Sequence, residues 1–222
     1  MNDATVSRWM GPLGLVTIIA LFVGFGPLSG NQPSENVSGV KVAAFVNSHM
    51  SQEWAQIYVI GFGLALLVLF VTQLRDVLRD TSGQRLLPNV VFAAAIILVA
   101  GIIVDGTLQI VMILAAHNGE YAIVKTMNFV GQNNELTFLF GLALLTLATG
   151  FCILVSREAG LPKVLGWFSL LVGVVACAGP LSFFAILFGL PIWLLATGFV
   201  ISTRARRNPP AAPVAEAVTA AV

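Results

Sequence analysis

The chain has 222 residues, of which 58% are hydrophobic and 9% charged, with a mean hydropathy of +0.93. Soluble domains carry roughly 25% charged residues, so the composition excludes an ordinary soluble domain and makes lipid the solvent for most of the chain. The formal net charge of +1 argues against nucleic acid as a partner.

A membrane crossing needs about 20 mainly apolar residues. Six stretches approach or exceed that length, at 12–29, 54–74, 89–116, 135–156, 164–179 and 183–202. They are apolar all round, without the alternation of a membrane barrel, and backbone groups in lipid must be bonded internally. The expected fold is therefore all-α, a polytopic bundle of six transmembrane helices.

The first stretch is longer than the roughly 7–15 apolar residues of a signal peptide. No small-residue cleavage site follows it in Ser29-Gly30-Asn31-Gln32, so a retained span is expected. In the loop at 30–53, the residues from Ser38 to Met50 predict a short amphipathic helix with Val40, Ala44 and Phe45 on one face. Such a helix lies on the membrane surface or caps the bundle.

The third stretch holds the most informative residue. Asp105 sits alone in the apolar run from Val90 to Ala116. An aspartate at the centre of a membrane helix costs about 2.5–3.5 kcal/mol, so it is expected to face protein, water or a ligand. At 1.5 Å per residue it lies roughly 26 Å from Pro88 and 18 Å from His117. Gly101, Gln109 and Met112 share its face. The loop at 117–134 then carries Asn118-Gly119, with the polar run Gln132-Asn133-Asn134-Glu135 at its end.

The fifth stretch, residues 164–179, is short for a full crossing. Gly166, Ser169, Gly173 and Ala176 fall on one face of it, the small-residue surface that lets membrane helices approach closely. Gly26-Pro27-Leu28-Ser29 and Gly179-Pro180-Leu181-Ser182 close the first and fifth stretches alike. That echo reads either as the remnant of a parallel repeat or as ordinary Gly-Pro helix termination. Residues 1–203 form the membrane domain. The remaining 204–222 combine a basic cluster with a Pro- and Ala-rich tail, expected to be mobile in the cytoplasm.

Charge sets the expected topology. Arg8, Arg75, Arg79, Arg85, Arg157, Lys163, Arg204, Arg206 and Arg207 fall at one side of a six-span bundle, leaving Lys41 and Lys125 at the other. The positive-inside rule places the basic side, and both termini, in the cytoplasm. Cys152 and Cys177 lie near opposite ends of their helices, too far apart for a disulfide, which needs Cα atoms about 4.4–6.8 Å apart. Both are read as small packing residues.

The candidate ligand or proton site consists of Asp105, Gln109, Glu135, His49, Glu53 and His117. Asp105 and Gln109 are four apart, so their side chains can meet. The spacing of His49 and Glu53 is the same, just before the second span. Convergence of these groups would make a polar pocket with side chains of metal-ligand type. No H-E-x-x-H, C-x-x-C, G-x-S-x-G, P-loop or dinucleotide fingerprint accompanies them, so no metal, cofactor or catalytic residue is assigned. Glu53 and Glu135 also read as first-turn acids favoured by the helix dipole, with Ser51 and Asn133 as caps. Asp105 reads equally as a neutral acid hydrogen-bonded to Gln109 or to a neighbouring helix.

The segment Ala159-Gly160-Leu161-Pro162-Lys163-Val164-Leu165-Gly166-Trp167 resembles the G-x-LP-R/K-x-LGW inner loop of small bacterial, mainly actinobacterial, integral membrane proteins of unknown function. Ala43 to His49, with Leu74-Arg75 and Leu78-Arg79, is similar to the first outer loop and second span of those proteins. The resemblance covers most of residues 40–202 and implies a six-helix bundle in the cytoplasmic membrane with no assigned activity. His49 recurs in that pattern and Asp105 does not.

The expected function is binding of a lipid or hydrophobic small molecule, or service as an accessory subunit to a membrane-protein partner or a second copy. The reading leans away from an enzyme. A proton-coupled carrier or channel using Asp105 is the alternative. A membrane-embedded metal hydrolase using His49, Glu53, Asp105 and Glu135 is a further one.

Overall fold

In the computed structural model, residues 9–29, 32–83, 85–134, 136–156 and 161–207 are described, and every regular element among them is helical. Eight helices of ten or more residues organise the described residues: α1 Met10–Phe25, α2 Gly39–Ser48, α3 Met50–Ser82, α4 Leu86–His117, α5 Tyr121–Asn133, α6 Leu136–Val155, α7 Lys163–Ala176 and α8 Leu190–Arg207. Four stretches are long and apolar enough to cross a membrane, Met50–Ser82, Leu86–His117, Tyr121–Val155 and Ala185–Ala205. α1 and α7 are equally apolar but have 16 and 14 residues. At 1.5 Å per residue they span about 24 and 21 Å, short of a hydrocarbon core of about 30 Å.

The apolar helices form a closed ring in which α1 packs on α3, α3 on α4, α4 on α6, α6 on α7, and α8 closes against both α7 and α1. Glycines set the close approaches. A Cβ on Gly141 of α6 would collide with the backbone of Leu98 in α4, and one on Gly24 of α1 would meet Ile60 of α3. Gly150 lies so near α7 that a Cβ there would come within 2.7 Å of the Gly166 carbonyl oxygen. The small-residue face of α7 is buried as its spacing predicts, with Gly166, Ser169, Gly173 and Ala176 turned into the bundle. Trp193 of α8 is fully buried, packs edge-on against Phe70 of α3, and donates its Nε1–H to Ser169 Oγ at 2.9 Å.

The entry to α8 departs from a simple helix. Residues 179–181 form a 3₁₀ turn, and Ala185–Gly189 wind as a π-helix. Pro191 explains the wide turn: it has no N–H to donate, and its ring crowds the carbonyl four residues earlier. The expected likeness between the two Gly-Pro helix ends is not conformational. Gly179 has φ +58°, in the left-handed region, whereas Gly26 has φ −102°.

One end of the ring joins Arg75 to Asn89 through Nε–H···Oδ1 at 3.0 Å, Ser156 Oγ to the Thr81 carbonyl at 2.7 Å, and the Gly11 N–H to Ser202 Oγ at 2.7 Å. The ends of α3, α6 and α8 therefore lie beside the starts of α4 and α1, which gathers Arg75, Arg79, Arg85 and Arg204 at that end. The C-terminal tail expected over 208–222 lies outside the described residues.

The other end is capped. α2 and α5 pack on each other and on α4 around Val42, Ala43, Val46, Met112, Ile113 and Val124. The helix expected from Ser38 onwards is present, but its buried face is Gly39, Val42, Ala43 and Val46, not Val40, Ala44 and Phe45. Val40 and Ala44 are exposed because the helix lies on α4 and α5 with the intervening stripe inward. α5, where a plain loop was expected, is held because Val124 and Asn128 are four apart and both buried.

Candidate functional site

The polar centre of the molecule lies where α3 and α4 meet beneath this cap. Both hydrogens of the Gln109 amide are committed, one to Glu53 Oε2 at 2.5 Å and one to Gln56 Oε1 at 2.8 Å. Glu53 and Gln56 are three residues apart on α3, so one amide from the antiparallel helix reaches both. Glu53 is 1% exposed and Gln56 5%. A buried carboxylate without such a donor carries a heavy desolvation penalty, so this bridge is what allows Glu53 to sit inside.

A cavity of about 570 Å³ opens alongside, between the end of α1, α3, α4 and α5. Ile60, Leu64, Ile102, Met112 and Met127 form apolar walls, and Asp105, Gln109, Gln56, Asn128 and Gln132 contribute polar groups. Phe25, Gly61, Ile103 and Thr107 on the flank, and Gln32 and Gln132 at the capped end, are exposed and also line it, so it opens both to the flank of the bundle and toward the cap. Gly61, Gly106 and Gly131 border it without touching a neighbour: a Cβ on any of them would meet nothing within 4 Å.

Asp105 is the charged residue of this wall. It is partly buried, and its carboxylate makes no hydrogen bond among the described residues. The expected bond to Gln109 is absent, because the amide hydrogens of Gln109 point to α3 instead. The fully buried carboxylate is Glu53, not Asp105. Nor does Ser51 cap α3. His49 is the N-cap residue, with no side-chain cap bond, and Ser51 lies inside the helix. Asn133 ends α5, donating to Glu35 Oε2 at 2.9 Å and to the Phe129 carbonyl.

The other candidates stand apart. His49 is exposed and stacked on Phe45 with centroids 4.3 Å apart, its Nδ1 at 2.9 Å from both the Phe45 carbonyl and Ser48 Oγ. His117 is exposed at the end of α4. Neither lines the cavity. Glu135 lies outside the described residues. No group of three or more His, Cys, Asp or Glu side chains placed to hold a metal ion occurs among the described residues. Cys152 is buried and Cys177 exposed, and both are free thiols.

Sequence reading missed Gln56, Asn128 and Gln132. The signal for Gln56 was an amide three residues after Glu53 in an apolar helix. For the other two it was a pair of amides four apart in α5. Compared with protein-family models, curated proteins and solved structures, the chain matches none.

Proposed function

We propose that this protein is a membrane-embedded binding protein whose cavity takes a lipid or hydrophobic small molecule. The observation that carries the reading is the cavity itself, lined by apolar and polar groups in nearly equal measure, open to the flank of the bundle, and bordered by three glycines facing empty space. Its volume falls within the roughly 300–1,000 Å³ of small-molecule sites. In this reading six segments cross a bacterial cytoplasmic membrane, with both termini on the cytoplasmic side. The short α1 and α7 complete their crossings through the turns that follow them. Four long apolar helices and the gathering of arginines at one end support that arrangement.

Native mass spectrometry of the protein released from a mild maltoside detergent tests the reading. A discrete small-molecule or lipid adduct, lost when Gly106→Phe fills the cavity, is the expected result. Bare polypeptide, or a second protein retained in place of a ligand, would shift the assignment to an accessory subunit.

A second reading, a proton-coupled carrier, is favoured by one observation: the bridge from Glu53 through Gln109 to Gln56 ends at the cavity that Asp105 lines. It predicts pH-driven flux in proteoliposomes, abolished by Asp105→Asn with the fold intact.

A further inference from the structure

Several of the donors that line the cavity are already committed within the protein. Gln109 gives both amide hydrogens to Glu53 and Gln56. Gln132 Nε2 gives its own to the Pro33 carbonyl at 2.7 Å and to Asn128 Oδ1 at 3.1 Å. Asn128 Nδ2 is directed at the carbonyls of Pro33 and Ser34, each at 3.4 Å. The Ser29 hydroxyl is likewise turned to its own helix end, at the Phe25 and Gly26 carbonyls. Gln56 and Gln32 donate no hydrogen bond among the described residues and keep their amide hydrogens, but the charged group left to a guest is the carboxylate of Asp105, with the amide carbonyls of Gln109 and Gln132 as further acceptors. Among the described residues no Lys, Arg or His lines the cavity.

We infer that the ligand is an amphiphile whose head is a protonated primary amine, with the ammonium at Asp105 and the chain along Ile60, Leu64 and Ile102. This deepens the binding reading above and rests on it. An ammonium has three N–H donors and a positive charge, the complement of the Asp105 carboxylate and of the amide oxygens in the same wall. Its charge offsets the cost of keeping Asp105 ionised in an apolar setting. A quaternary ammonium fits less well, because it has no N–H to donate and Phe25 is the single aromatic ring at the cavity among the described residues. Zwitterionic aminophospholipids fit less well again, since no cation is present to receive the phosphate. The open flank bordered by Ile103 and Thr107 admits such a molecule from the side, where an amphiphile dissolved in the bilayer would arrive.

The test compares dodecylamine, dodecanol, dodecyltrimethylammonium and laurate at equal concentration. Each is added to the full chain in neutral maltoside, with binding read by native mass spectrometry and by the shift in melting temperature. Dodecylamine is expected to bind saturably and at least tenfold more tightly than the other three. Asp105→Asn should reduce that preference at least tenfold while leaving dodecanol unchanged, and Gly106→Phe should remove binding of every chain probe. Equal binding of amine and alcohol to the wild-type chain would overturn the amine assignment and leave a hydrophobic binding site. Displacement of dodecylamine by phosphatidylethanolamine in nanodiscs, at matched concentration, would also overturn it in favour of a membrane lipid. Failure of all four probes to bind saturably would overturn the cavity reading as well. The head-group comparison needs no variant, so a misfolded Asp105→Asn does not rescue the proposal.

Discussion

Glu53 and Gln109 lie 56 positions apart in sequence, yet a single 2.5 Å hydrogen bond joins them across the interface of α3 and α4. The bond makes a buried carboxylate tolerable and at the same time turns the amide oxygen of Gln109 away from α3. One contact thus links the packing of the bundle to the chemistry of its cavity.

Removing the donor should expose the cost of that carboxylate. Gln109→Ala leaves Glu53 without its amide partner, and leaving a buried polar group unsatisfied costs about 1–3 kcal/mol. Replacing both partners, as Glu53→Leu with Gln109→Leu, should cost less than Gln109→Ala alone. Unfolding of the variants in graded dodecyl sulfate measures this. Equal stabilities of wild type and Gln109→Ala would show that the bridge contributes nothing.

Glycines in the bundle should separate into two groups. A Cβ on Gly141 would lie 2.5 Å from the Leu98 Cα, with no flexible side-chain end to move aside. Overpacking of this kind costs about 1–3 kcal/mol and more when backbone must shift, so Gly141→Ala should melt far below wild type. Gly131→Ala meets nothing and lies within α5. It should be neutral or gain up to about 1 kcal/mol from helix propensity. Melting followed by tryptophan fluorescence decides, and matching losses in both variants would contradict the close approach of α4 and α6.

The Trp193–Ser169 pair should behave as a unit. Ser169→Ala strands the buried indole N–H, at a cost of about 1–3 kcal/mol. Ser169 Oγ itself donates to the Leu165 carbonyl at 2.7 Å, so part of the loss is the end of a hydrogen-bonded chain running into α7. A double-mutant cycle with Trp193→Phe should return a coupling of about 1 kcal/mol. Simple additivity of the two losses would mean that shape, and not the hydrogen bond, locks α8 to α7.

Membrane orientation is open to direct labelling. In a Cys177→Ser background Cys152 is buried and should stay silent toward a bulky impermeant maleimide. Lys125→Cys should then react in intact cells, and Arg79→Cys only after permeabilisation. The reverse pattern would invert the proposed topology.

The sequence by itself determined that this chain is helical and suited to lipid, because its long runs are apolar all round, without the alternation of a barrel, and a helix bonds its backbone groups internally. It also determined the small-residue face of α7, since Gly166, Ser169 and Gly173 recur at helical spacing within one element. Asp105 stood out for a similar local reason, as the charge interrupting a single apolar run. What only the tertiary structure decided depends on contacts between elements. Glu53, legible as a first-turn acid, is buried because α4 brings Gln109 over it. Val40 and Ala44 of α2, apolar and apparently inward, are exposed because the cap rests on its opposite stripe. Gln56, Asn128 and Gln132 look like unremarkable amides until their hydrogen bonds are traced to partners as many as 99 positions away. Hydrogen-bond commitment is a property of neighbours, and neighbours distant in sequence are set by packing rather than by local pattern.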